Sequence, residues 1–135
     1  KLNSSSFDSD EIDYLNLSSN RLGELFQLKI KKVNYLDLSN NMIQDIHFIS
    51  SNSCIAINLN FNKFSLNEKK FSKLNSLKNL SLTNNNIKYL NENYLNDLDS
   101  LETLNLNYNL IETIYSGTFS KCKQLKFIYL NNNRN

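Results

Sequence analysis

The chain has no proline and no tryptophan, and only two glycines, two cysteines, one methionine and one histidine in 135 residues. Each scarcity closes a class of function. A dinucleotide fingerprint or phosphate-cradling loop clusters its glycines, whereas Gly23 and Gly117 lie near opposite ends of the chain. A zincin helix needs two histidines, and His47 stands alone. Cys54 and Cys122 are too few for a disulfide-rich scaffold or a structural zinc cluster. No run approaches the roughly 20 apolar residues of a membrane-spanning helix. Neither sign of charge dominates, with 15 Lys and Arg against 13 Asp and Glu and a net charge of +2. The lysines at 29, 31 and 32, at 69 and 70, and at 121, 123 and 126 therefore read as solvated faces, not as a nucleic-acid groove. A hydrophobic share of 40% is enough to fold, and the length suits one domain.

What the chain has in excess is leucine, 23 residues, and asparagine, 26. Asparagine is a poor helix former and is depleted in strands, so such an excess implies many turns or one recurring side-chain task. The recurrence is visible in the order of residues. Ile12 to Leu22 read IDYLNLSSNRL, Val33 to Ile43 read VNYLDLSNNMI, and Cys54 to Phe64 read CIAINLNFNKF. LKNLSLTNNNI follows from Leu77, LETLNLNYNLI from Leu101 and LKFIYLNNNRN from Leu125. Six units thus start at 12, 33, 54, 77, 101 and 125, all in the frame LxxLxLxxNxL. Their ninth positions are Asn20, Asn41, Asn62, Asn85, Asn109 and Asn133, spaced by 21, 21, 23, 24 and 24 residues.

Apolar fourth and sixth positions, such as Leu36 and Leu38, alternate with polar third, fifth and seventh ones. This is the period-two pattern of a short strand with one buried face. So short a strand cannot bury that face alone, which predicts parallel stacking of successive units at roughly 4.8 Å around one shared core. The ninth-position Asn closes each apolar segment. Its carboxamide donates and accepts at once, so the expectation is a buried ladder that satisfies the turn ending each strand. Further apolar pairs line the return path: Leu22 and Leu25, Ile43 and Ile46, Ile87 and Leu90, Ile111 and Ile114. In the third unit Phe64 is followed by Asn67 at that spacing, which predicts a locally altered loop. Phe71 and Leu74, Leu95 and Leu98, and Phe119 and Cys122 form the back of the core.

These units resemble the leucine-rich-repeat family. The resemblance implies an α/β repeat solenoid with a curved, short parallel sheet on the concave side and loops or short helical turns on the convex side. The segment GTFSKCKQL, Gly117 to Leu125, is similar to the extracellular typical repeat class, while the 21-residue spacings resemble a shorter, intracellular variety. The family implies a protein-recognition module without catalysis, cofactor or metal. Its partner is then a protein ligand or co-receptor, with no nucleic acid and no membrane insertion of this segment. Extracellular receptor ectodomains in immunity or adhesion, such as those of Toll-like receptors and insect leucine-rich-repeat immune proteins, are the first comparison. An intracellular scaffold or regulatory subunit is the second. Capping structures at either end are not evident, and the chain reads as a fragment of a longer array.

Cys54 and Cys122 fall on core positions three rungs apart, about 14 Å on strand spacing and beyond the roughly 7 Å reach of a disulfide. Two free, buried thiols are expected. His47 reads as a solvated loop residue. Asn3, Asn16 and Asn79 head N-x-Ser sequons and are candidate N-glycosylation acceptors, which would place the protein in the secretory route. The outward positions carry Tyr14, Tyr35, Phe61, Tyr108, Phe127 and Tyr129, candidate contact residues for a partner on the concave face. Exposed aromatics on a rigid sheet offer contact area at low entropy cost, though stacking on one another across rungs would also account for them.

Overall fold

The computed structural model describes residues 11–23, 30, 32–46, 53–66, 71 and 73–134. His47, Asn3, Leu25, Asn67, Asn135 and the lysines at 29, 31, 69 and 70 lie outside them. Six short strands make one parallel sheet, in the order β1 (Ile12–Asn16), β2 (Val33–Asp37), β3 (Ala56–Asn58), β4 (Asn79–Ser81), β6 (Thr103–Asn105), β8 (Phe127–Tyr129). Each repeat unit's main strand pairs with that of the next unit, as in a solenoid, with β5 and β7 set apart between them. Two shorter strands, β5 (Tyr89–Leu90) and β7 (Thr113–Ile114), pair in parallel as a second sheet on the return segments.

The register shows why the repeat frame folds this way. Leu15, Leu36, Ile57, Leu80, Leu104 and Ile128 stand opposite one another, rung by rung, and those from Leu36 to Leu104 are buried. Pairing continues past the strands. Leu17, Leu38, Leu59, Leu82 and Leu106 each donate their backbone N–H to the fifth-position carbonyl of the following rung, at 2.8 Å in every case. A one-residue slip would expose the whole apolar column, so register is fixed by burial as well as by the ladder. Phe64 stacks on Phe71 at a centroid distance of 5.9 Å and, with Leu74, Leu95 and Leu98, fills the back of the core.

The return segments are successive turns and contain no helix among the described residues. Leu98 N–H to Leu95 O at 3.1 Å, Cys122 N–H to Phe119 O at 3.1 Å and Leu125 N–H to Cys122 O at 3.2 Å are three-residue turn bonds. Three residues depart from the predicted core. Ile114 and Ile128 are 42% and 39% exposed, with no further described rung packed over them. In the third unit Leu66 is buried, so the core takes the residue two beyond Phe64 where the second and fourth units use the third, Ile46 and Leu90. No helix of the described residues is long and apolar enough to cross a membrane.

Candidate functional site: the concave sheet and its carboxamide ladders

The ninth-position asparagines bind each rung to the one before it. Asn85 Nδ2 donates to Leu59 O at 3.0 Å in the preceding rung and to Leu82 O at 3.0 Å in its own, while its Oδ1 accepts the Phe64 N–H at 2.8 Å. Asn41, Asn62 and Asn109 repeat that set with Leu17, Leu38 and Leu82 as the upstream carbonyls. All four side chains are buried. The ends differ from the expected uniform ladder. Asn20 is exposed and bonds only within its own turn, to Leu17 O and Ser18 O, because no described rung precedes it. Asn133 holds Leu106 O and the Ile111 N–H yet stays half-buried, since no rung covers its far side.

A second ladder, unread in the sequence, runs along the concave surface. The seventh-position backbone N–H is always capped by a side-chain oxygen. Asn16, Asp37, Asn58 and Asn105 cap Ser18, Ser39, Asn60 and Asn107 of their own rungs at 2.9 to 3.1 Å. Ser81 and Tyr129 replace the carboxamide at the fifth position in the other two rungs. There the seventh-position Asn of the preceding rung takes over: Asn60 Oδ1 accepts Thr83 N–H at 2.8 Å, and Asn107 Oδ1 accepts Asn131 N–H at 2.7 Å. Asn16, Asn58, Asn60, Asn105 and Asn107 are therefore committed to the backbone. Thr83 Oγ1 is the one buried side-chain N or O atom without a hydrogen-bond partner among the described residues.

The eighth position has its own conformation. Ser19, Asn40, Phe61, Asn84, Tyr108 and Asn132 all have positive φ, between 52° and 57°. This left-handed turn aims the N–H of the first five at the seventh-position carbonyl of the next rung, as in Phe61 N–H to Thr83 O at 2.9 Å. Asparagine tolerates that region, whereas an aromatic residue is held there against its steric preference.

The six candidate aromatics consequently fall into two groups. Tyr14, Tyr35 and Tyr129 line a shallow basin of about 440 Å³ on the concave sheet. Phe127 stands beside Tyr129 in β8 and is 56% exposed. Phe61 and Tyr108 stand instead on the turns that leave the sheet, and neither lines the basin. The floor between the aromatic ends is small and polar: Ala56, Asn79 and Thr103 in the third position, Asn58, Ser81 and Asn105 in the fifth. Sequence reasoning fixed on large residues and missed this floor, whose signal is the run of small side chains in consecutive third positions. Among the described residues Asp37 is the basin's single charged residue, and no Lys or Arg lines it.

Asn79 is exposed at the basin floor, while Asn16 is tied through Oδ1 to the Ser18 N–H and hydroxyl at 2.9 and 2.7 Å. Both cysteines are free and buried. Burial pushes the Cys54 thiol up to about 12 against a smaller opposing effect of its contact with Ala56 O, and burial followed by the charge of Asp99 raises that of Cys122. Neither is a poised nucleophile. Among the described residues no three His, Cys, Asp or Glu side chains converge as a metal site.

Parallel rungs closed by buried asparagines define a leucine-rich-repeat solenoid. The family model described as leucine rich repeat matches residues 75–134. The unit it describes is the one repeated upstream from Ile12. No curated protein matches the sequence. Among solved structures, TLR13 in a complex with ssRNA13 is similar with a TM-score of 0.62 at 19% identity, covering 90% of this chain and 24% of that one. An internalin (inlF) from Listeria monocytogenes is similar with a TM-score of 0.56 at 20% identity, covering 91% of this chain and 48% of that one. The chain thus spans about a quarter and about half of these neighbours' lengths. At such identities the likeness is one of fold.

Proposed function

We propose that this array is a non-enzymatic protein-recognition module of a secreted or cell-surface leucine-rich-repeat protein acting in immunity or adhesion, and that the partner seats on the concave basin. The observation that carries the reading is the basin itself: a small, polar floor across β3, β4 and β6 with Tyr14 and Tyr35 at one end and Phe127 and Tyr129 at the other. Tyrosines at the rims of a rigid, shallow surface are the anchors that protein interfaces use. The TLR13 complex contains RNA, but this basin presents Asp37 and no cation to a phosphate backbone, which favours a protein partner. TLR13 and an internalin as structural neighbours support the surface-protein reading.

The test is comparative capture. Immobilised chain, exposed to a solubilised surface proteome, should retain a partner that Tyr35→Ala with Tyr129→Ala loses and that Phe61→Ala with Tyr108→Ala keeps. Equal retention by the basin variant contradicts the assignment. A second reading, an intracellular scaffold or regulatory subunit, draws on the two free thiols, which suit a reducing compartment. Intact mass of the protein from its natural source separates them: glycan on Asn16 or Asn79 requires secretion, and an unmodified mass with both thiols reduced favours the scaffold.

A further inference from the structure

A second aromatic site stands on the return side, apart from the basin. In β5 the alternation buries Leu90 completely and leaves Tyr89 49% exposed, opposite Thr113 of β7. The Tyr89 ring rests on buried Tyr94, with centroids 6.3 Å apart and planes tilted by 37°. Tyr115, just after β7, is 56% exposed, but its backbone is fixed: its N–H donates to Leu90 O at 2.9 Å and its carbonyl accepts the Thr118 hydroxyl at 2.7 Å. Buried Thr118 also reaches Leu90 O at 3.1 Å, so one hydroxyl joins the two tyrosine-bearing segments.

Between the tyrosines lies a cleft of about 510 Å³ lined by Tyr89, Asn91, Glu92, Asn93, Tyr115 and Ser116. Glu92 is its one charge and has no ion-pair partner among the described residues, whereas Glu11, Glu102 and Glu112 each hold a Lys or Arg. Gly117 makes room for that carboxylate. Its φ is +82°, and a Cβ there would stand 3.2 Å from Glu92 Oε2.

Two exposed phenol rings, one of them braced by Tyr94, and a carboxylate without an ion-pair partner among the described residues are the elements that attract an organic cation: the rings through their quadrupoles, the carboxylate through its charge. An anion would be repelled, and a neutral donor could gain a hydrogen bond from Glu92 but not the charge pairing. We propose that this cleft receives a lysine or arginine side chain of a partner protein. The site is independent of the concave basin and of what binds there.

The full chain titrated with a capped Gly-Arg-Gly peptide, and separately with capped Gly-citrulline-Gly, tests this, followed through the ring resonances of Tyr89 and Tyr115. Citrulline keeps the shape and removes the charge. The arginine peptide should shift both rings at millimolar concentration and the citrulline peptide neither. Glu92→Gln should weaken the response severalfold, and Tyr115→Leu by about two- to fivefold, with Tyr35→Ala leaving it unchanged. Equal shifts by both peptides, no shift by either, or indifference to Glu92→Gln overturns the proposal. Glutamine is isosteric with glutamate, so that variant decides even if Tyr115→Leu fails to fold.

Discussion

Asparagine does two jobs in this molecule, and position decides which. At the ninth position its carboxamide replaces backbone partners that a closing turn cannot supply. Asn85→Ala would take the side-chain acceptor from the Phe64 N–H and one of two carboxamide donors from each of the Leu59 and Leu82 carbonyls inside the core, and should destabilise by about 1 to 3 kcal/mol in denaturant unfolding. Asn20→Ala, which touches only an exposed turn, should cost less than about 1 kcal/mol. The ninth position was legible because all six units make the same demand with the same residue. The eighth was not, because its left-handed backbone is imposed by rung-to-rung hydrogen bonds and is occupied by Ser, Asn, Phe and Tyr alike. Phe61 is 53% exposed and strained there, so Phe61→Asn should raise stability by about 1 kcal/mol in the same assay. A loss of stability would show that the ring contributes packing that outweighs the strain.

At the scale of strands, short elements are secured by columns of like position. The buried column was readable from Leu and Ile periodicity. The second sheet was not, since β5 and β7 have two residues each and carry no period long enough to detect. The second-position column adds charge alternation: Glu102 accepts from Lys126 Nζ at 2.7 Å and from Lys78 Nζ at 3.1 Å across three adjacent rungs. Hydrogen bonding to Lys126, then to Lys78, and the two positive charges hold the Glu102 carboxyl below its ordinary value. A carboxyl depressed by folding stabilises the native state in full above its unfolded value near pH 4, and loses that contribution as pH falls through the folded one. Unfolding temperature should therefore drop more steeply on acidification in the natural chain than in Glu102→Gln, and the difference should shrink in high salt because the trio is solvent-exposed. Parallel curves at low salt would remove the trio from the account.

Over the whole molecule, stacking without crossovers gives a surface whose geometry is set by the interior. Each rung contributes one third-position and one fifth-position side chain to the concave face, at about 4.8 Å intervals. The concave face was legible from the repeat frame and the outward aromatics. Its shape was not, because the sequence does not reveal that Phe61 and Tyr108 turn away from the sheet while Ala56, Asn79 and Thr103 open its centre. We propose this opening, bounded by tyrosines, as the seat of a protein partner. Radical labelling of exposed rings, on the free chain and on the captured complex, measures it most directly. Tyr14, Tyr35 and Tyr129 should lose labelling on binding while Phe61 and Tyr108 keep theirs; protection of Phe61 and Tyr108 with the basin tyrosines still labelled would put the partner elsewhere.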